Sequence, residues 1–152
     1  EVALAGTLSS RRDTASASST PPSGPEARLQ GAIDRLLRAM LFADEAPLLG
    51  TMRGTTTFRD DFSNRGPRDH LGRSLRDFDL ETRLFRYPLS FLIYSESFDA
   101  LPSVVRLDVY RRLREILGGR ETNGLSDRLT PGDRQAILDI LRETKPEFRS
   151  VP

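Results

Sequence analysis

His70 is the only histidine of the chain, and it lies in a polar segment bounded by glycines, residues 66–72. Histidine is the side chain most often used as a general base near neutral pH, and a neighbouring carboxylate such as Asp69 can orient its ring. Adjacent side chains of an extended segment point in opposite directions, which weakens this pairing. Asp69 and His70 are therefore a candidate polar loop site, and hydrogen bonding within the loop is its simplest role.

Carboxylates are frequent between residues 60 and 99, but their spacing defines no catalytic pair. A glycosidase needs two carboxyl groups at a fixed separation across a cleft, and the sequence does not set that separation. Arginines such as Arg59, Arg76, Arg83 and Arg86 lie close in sequence to most of these carboxylates, which favours structural ion pairs. The carboxylates are Asp60, Asp61, Asp77, Asp79, Glu81, Glu96 and Asp99.

Other catalytic and metal-binding motifs are missing from the sequence. The chain has no cysteine, which excludes disulfides, thiolate nucleophiles and cysteine-ligated metals within it. Ser90, Ser95 and Ser97 stand outside any nucleophile-elbow motif, and there is no Walker loop or GxGxxG. We therefore predict no catalytic residue, no metal and no cofactor, and we expect a non-enzymatic protein.

The composition indicates one domain with an appendage. The chain has 152 residues, of which 37% are hydrophobic, so that a core can form from part of it. Residues 1–25 are rich in Ser, Thr, Ala, Pro and Gly without apolar periodicity, which predicts a flexible or partner-bound linker arm. We assign residues 26–152 to a helical domain.

Three helices carry clear sequence signals. The first is predicted over 25–42, where Leu and Ile recur at helical spacing after Pro25. A second begins near Pro102 and ends at Gly118. A third begins after Thr130, an N-cap residue followed by a proline at the first helical position, and ends at 145–146.

The middle of the chain is harder to interpret. Residues 48–74 are punctuated by glycines and predict a loop, in which 55–58 is extended or 58–62 forms a helical turn, with Phe58 and Phe62 plugging the loop onto the core. We predict a short helix that starts at Asp79. The apolar run 89–94 favours a buried helix over a strand. The expected fold class is mostly α, with about four helices, a glycine-punctuated loop region and an extended N-terminal arm.

The charge pattern argues against nucleic-acid binding. The net charge is +1, and acidic residues alternate with the arginines of 73–86, which cancels the field that binding to phosphates requires. Arginine and tyrosine are enriched at interface hot spots. The candidate interface residues are Arg83, Phe85, Arg86, Tyr87 and Tyr94, and the expected partners are other protein subunits.

No apolar run approaches the roughly 18 residues of a membrane-spanning helix, so we predict no transmembrane segment in this chain. The chain begins at Glu1 instead of methionine, which indicates a processed protein or a fragment of a longer one.

The block 72–102, followed by VYRRLREIL and LTPGDRQAILDILRETK, resembles the C-terminal region of a family of exported bacterial proteins of no assigned activity. The upstream LLRAMLFADEAPL and FRDDFSNRGPRD belong to the same pattern, so that the resemblance covers about residues 28–145. It implies an extracytoplasmic location, periplasmic or at the cell surface, and a larger precursor. It supplies no catalytic residues.

These observations predict a non-catalytic structural or interaction subunit of a bacterial extracytoplasmic assembly. Two alternatives remain open. One is a ligand-binding or hydrolytic domain that uses the loop 60–79 with His70. The other is an accessory subunit of an electron-transfer complex whose haem groups lie on other chains, because the chain has no CxxCH motif.

Overall fold

A computed structural model describes residues 24–54, 56–121 and 124–152. Within these ranges the chain is mostly helical and forms no strand, which confirms the predicted fold class. The six helices are α1 (Pro25–Met40), α2 (Phe58–Asn64), α3 (Glu96–Asp99), α4 (Ser103–Leu117), α5 (Pro131–Thr144) and α6 (Pro146–Ser150). The predicted arm, residues 1–25, lies outside the described residues except for Gly24 and Pro25.

Helix α1 follows its sequence signals closely. Pro25 occupies the first helical position, and Ile33, Leu37 and Met40 form the buried stripe. The helix ends where Phe42 takes a left-handed backbone conformation, with φ of 51°. The Phe42 ring then stacks on Phe85 at a centroid distance of 5.6 Å, so the end of α1 is held against the middle of the chain.

Helices α4, α5 and α6 supply much of the core. The Thr130 hydroxyl accepts a hydrogen bond from the Asp133 N–H at 3.0 Å, which confirms the predicted N-cap of α5. Fully buried side chains of α4 and α5 meet between these helices. Phe148 of α6 packs edge-on against Tyr110 of α4, with ring centroids 5.8 Å apart. The short helix α6 lies beyond the point where we predicted the last helix to end.

The predicted helix at Asp79 is wrong, because the chain reverses there. Phe78 and Phe85 form an isolated antiparallel bridge. The Asp79 carboxylate accepts hydrogen bonds from the N–H groups of Glu81 and Thr82 at 2.9 and 3.2 Å. These amide groups are thereby satisfied in a turn, which competes with a helix for the same donors.

The apolar run 89–94 forms only one turn of 3-10 helix, Phe91–Tyr94, instead of a full buried helix. Ser95 then accepts a hydrogen bond from the Phe98 N–H at 3.2 Å and begins helix α3, which was not predicted. Pro88 and the two capping serines divide this stretch into short pieces. Residues 58–64 form helix α2, which agrees with the helical alternative for FRDDF.

Ion pairs tie the helices to one another. Arg106 of α4 donates to both carboxylate oxygens of Glu147 on α6, at 3.0 and 2.7 Å. Lys145, the only lysine of the chain, is 8% exposed at the α5–α6 junction and donates to Asp99 at 2.6 Å. These contacts fix the region around the C-terminal end of α5, where the candidate loop site lies. In the part of the chain that the structure describes, no helix combines the length and apolarity that crossing a bilayer requires.

Candidate functional site

The predicted loop site is anchored to helix α5. The His70 backbone N–H donates to one Glu143 carboxylate oxygen at 2.7 Å, and its ring Nδ1 is hydrogen-bonded to the other. Glu143 lies in the last turn of α5, so it reaches the loop across a separation of 73 residues. The His70 side chain is 66% exposed. Most of the imidazole surface is therefore in contact with solvent, and the described residues form no water-excluding active site around it.

Asp69 is buried and holds the turn that carries His70. One carboxylate oxygen accepts hydrogen bonds from the N–H groups of Leu71 and Arg73, at 3.1 and 2.8 Å. The other accepts from the Arg73 guanidinium at 2.7 Å. Gly72 closes the turn with φ of 75°, a left-handed conformation that glycine adopts without steric cost. Asp69 thus accepts the hydrogen bonds of the N–H groups in this turn and does not orient the imidazole.

The electrostatics of Asp69 follow from these contacts. Burial by itself would raise the pKa of Asp69, but the hydrogen bonds from Arg73 and Leu71, with the positive charge of Arg73, outweigh it and lower the pKa below its usual value. The same pairing raises the pKa of Arg73 against the opposing effect of its own burial. Asp69 is therefore a structural anion at neutral pH.

Asp69, His70 and Glu143 together resemble a metal-ligand set. Their donor atoms lie within 4.8 Å of one another, and a histidine with two carboxylates suits several divalent metals. A cation bound there would compete with the Arg73 guanidinium for Asp69, and with the hydrogen bonds that already occupy both Asp69 oxygens. The arrangement is thus better suited to fastening the loop on α5 than to holding a metal. The carboxylate that is hydrogen-bonded to the His70 ring is Glu143, a pairing for which the sequence offers no signal.

The candidate interface residues divide into buried and exposed groups. Phe85 and Tyr87 are 9% and 7% exposed, so their rings are packed within this chain. Tyr94 is half-buried and shares a hydrogen bond of 2.6 Å with Thr144; burial raises its pKa to about 12. Arg86 is exposed, and its guanidinium lies 5.8 Å from the Tyr87 ring. The prediction that these residues form an interface stays a prediction, with Arg86 as the most accessible of them.

Arg83, the remaining candidate, is committed to helix α5. Its guanidinium donates to both carboxylate oxygens of Asp133, at 3.0 and 2.9 Å, and to the Arg86 carbonyl at 2.6 Å. This two-pronged pairing holds the reversed segment 78–86 against the first turn of α5. Arg83 therefore positions Arg86.

Phenylalanine rings fill the space between α1, α2 and the reversed segment. Phe62 of α2 contacts other rings at centroid distances between 5.1 and 6.2 Å, and the Arg76 guanidinium lies 4.2 Å from its centroid. The ring cluster comprises Phe42, Phe58, Phe62, Phe78, Phe85 and Phe91. Phe62 plugs the loop onto the core as predicted, whereas Phe58 is 63% exposed and does not.

The exposed face of this cluster lines a groove that the sequence did not reveal. Its apolar lining consists of Met52, Phe58, Phe78, Leu80 and Leu84, and its volume is about 770 Å³; we call it the apolar groove. Residues 48–52 run beside the turn at 80–82, because the N–H groups of Leu48 and Met52 donate to the carbonyls of Thr82 and Leu80. The groove thus joins two segments that are separate in sequence.

Comparisons with protein-family models, with curated proteins and with solved structures find no significant match to this chain.

Proposed function

We propose that this chain is a non-catalytic interaction subunit of a bacterial extracytoplasmic assembly, and that the apolar groove receives a short segment of another polypeptide. The observation that carries the proposal is the exposure of Met52 and Phe58, at 52% and 63%, beside an otherwise packed ring cluster. Methionine and phenylalanine are enriched at protein interfaces, where their apolar surface is removed from water.

The charges around the groove define the chemistry of the partner segment. Arg53, Arg59, Asp60 and Glu81 line it, and none of their side chains makes an ion pair or hydrogen bond within the described ranges. An apolar centre with a polar rim is the usual anatomy of an interface. The partner segment should therefore carry apolar side chains at its centre, flanked by charges of both signs.

The apolar groove is continuous with the surface that the sequence singled out. Arg59 and Glu81 line both the groove and a neighbouring cleft that contains Arg83 and Arg86. A partner that fills the groove can therefore reach the exposed Arg86. Arginine is favoured at such positions because its planar guanidinium pairs with carboxylates through two hydrogen bonds.

The features of the loop site favour a non-catalytic role. The Asp69 carboxylate is paired with Arg73. The imidazole of His70 is hydrogen-bonded to Glu143 and exposed to solvent. Glu143 engages Nδ1 and leaves Nε2 as the basic nitrogen, but with the side chain 66% exposed this nitrogen faces no shielded site in which a substrate could be held. The Asp69 and His70 side chains instead make hydrogen bonds that hold the loop in place on α5.

The test is reconstitution of the complex with purified components. The native complex is isolated from the source bacterium, its partner is purified, and its affinity for the chain is measured by titration calorimetry. We expect the double substitution Met52→Ser with Phe58→Ser to weaken binding by at least about tenfold, because two apolar anchors are lost. Each variant is first checked for an unchanged melting temperature.

The matched control is the double substitution Leu92→Ser with Val104→Ser. Both residues are exposed, at 57% and 69%, and neither lines the groove. We expect binding to change by less than about twofold. Equal losses in the two double variants, or a native chain that purifies alone, would contradict the proposal. Fractionation of the same cells tests the extracytoplasmic location, which requires the chain to be absent from the cytoplasmic fraction.

A further inference from the structure

A second cleft, which is lined by charged side chains where the apolar groove is lined by hydrophobic ones, lies at the C-terminal ends of α4 and α5. It is lined by Arg111, Arg114, Arg120 and Arg142, with a volume of about 610 Å³, and we call it the arginine cleft. Glu115 is the acidic side chain among its lining residues. Arg111 is paired with Asp108, and the other three guanidinium groups against one carboxylate leave a local excess of positive charge, although the net charge of the whole chain is only +1.

Three of these arginines are available to a ligand. Within the described ranges, Arg114, Arg120 and Arg142 have no ion pair or side-chain hydrogen bond, whereas Arg111 pairs with Asp108 at 2.7 Å. The Arg114 guanidinium instead lies over the Phe148 ring, 5.5 Å from the ring centroid. This cation–π contact uses the flat face of the guanidinium and holds the group in place. The hydrogen-bond donors at its edge remain free.

The backbone after α4 brings Arg120 to the cleft. Gly119 adopts a left-handed conformation with φ of 69°, and the Arg120 N–H donates to the Glu115 carbonyl at 3.0 Å. This reversal packs Arg120 against Gly118, where an added Cβ would lie 3.4 Å from the Arg120 Nε. Residues before and after the turn thus line the same cleft.

The helix ends explain how several like charges coexist there. Arg114 and Arg142 lie in the last turns of α4 and α5, where the partial negative charge of the helix C-terminus favours a cation. This local stabilisation offsets part of the mutual repulsion of the guanidinium groups. The remaining excess charge favours an anion from solution.

We propose that the arginine cleft binds a multivalent anion of the polyphosphate class. A phosphate group presents three acceptor oxygens, so that several guanidinium groups can each donate to it, and arginine matches this geometry with paired N–H donors. Pro152 also lines the cleft. If the Pro152 carbonyl belongs to a carboxylate, that negative charge reduces the positive excess of the lining without cancelling it. A multivalent anion neutralises such an excess better than a single phosphate does.

The experiment is titration calorimetry of the full chain with tripolyphosphate at low ionic strength, with inorganic phosphate and citrate as parallel ligands. We expect tripolyphosphate to bind most tightly. The double substitution Arg120→Gln with Arg142→Gln should weaken its binding by at least about tenfold, because two charge-assisted contacts are lost. Arg142→Glu alone, a charge reversal at an exposed site, is an independent variant that should weaken binding at least as much as Arg142→Gln.

The matched control is Arg35→Gln with Arg65→Gln, which removes the same net charge from exposed arginines outside the cleft. It should change the affinity by less than about twofold. Equal weakening by the control means that binding follows overall charge, which overturns the proposal. Absence of tripolyphosphate binding also overturns it, and citrate binding as tight as tripolyphosphate overturns the assignment to phosphate.

Discussion

Asp69 shows how one carboxylate can organise a loop that the sequence presents as a possible active site. It is buried, and its two oxygens accept hydrogen bonds from Leu71 and Arg73. A buried anion with this many donors is stable only while each donor stays in place. The conformation of the His70 loop therefore depends on the charge state of Asp69.

We predict that Asp69→Asn lowers the free energy of unfolding by about 1–3 kcal/mol at neutral pH, because charge-assisted hydrogen bonds to a buried group are lost. The pKa of Asp69 is lower in the folded chain than its ordinary value of about 3.9. Its contribution is therefore complete above that value and disappears as the pH falls through the lower folded-state pKa. Urea unfolding at pH 7 and below pH 4 measures the difference between the two chains, which should shrink in acid.

Asp127→Asn is the control for this prediction, because Asp127 is exposed and lies on a different turn. Its unfolding free energy should change by less than about 0.5 kcal/mol at either pH. A difference between wild type and Asp69→Asn that grows in acid would show that Asp69 is not a structural anion.

For single residues, the sequence indicated which side chains could form a site but did not indicate which residues they contact. His70 and Asp69 stand out because histidine is unique and the segment is polar. Glu143 does not stand out, because only the packing of α5 brings it to the loop. Likewise, the burial of Phe85 and the exposure of Phe58 depend on tertiary contacts that adjacent residues do not encode.

Among the secondary-structure elements, α5 connects the two regions that we propose as binding surfaces. Its first turn pairs with Arg83, its last turn carries Glu143 and Arg142, and its buried face is part of the core. Loss of core packing on α5 should therefore destabilise the whole domain.

We predict that Leu141→Ala lowers the free energy of unfolding by about 2–5 kcal/mol, because Leu141 is fully buried and its truncation leaves a cavity. Leu107→Ala is the matched control on another helix, and with Leu107 42% exposed its cost should stay below about 1 kcal/mol. Chemical denaturation of both variants under the same conditions measures the two values. Similar costs at the two sites would mean that α5 is not packed as described.

Helices whose ends carry strong local signals were predictable, and short elements were not. The cap at Thr130 and the prolines at first helical positions act through neighbouring residues, so the starts of α1 and α5 could be read directly. The turn at Asp79 looked like a helix start because aspartate caps both helices and turns. The outcome was decided by antiparallel pairing of residues 77–79 with 84–86, and by hydrogen bonds to this turn from Leu48 and Met52, which lie in a separate segment.

For the molecule as a whole, the described core is assembled from residues between Ile33 and Val151. We predict that a chain lacking residues 1–23 unfolds cooperatively, with a free energy of unfolding within about 1 kcal/mol of that of the full chain. Thermal and urea unfolding of both chains, measured side by side, check this. A truncated chain that aggregates or melts without cooperativity would show that the core depends on the removed segment.

The position of Lys145 gives this molecule an unusual response to reagents that attack amines. The only ε-amino group of the chain is enclosed at the α5–α6 junction, 8% exposed and bound to Asp99. An acylating reagent can reach it only when that junction opens, so the rate of side-chain acylation should follow the opening equilibrium of this part of the fold. Coupling through lysine should therefore attach the native protein to an amine-reactive surface only slowly, at a rate that rises when this junction is destabilised.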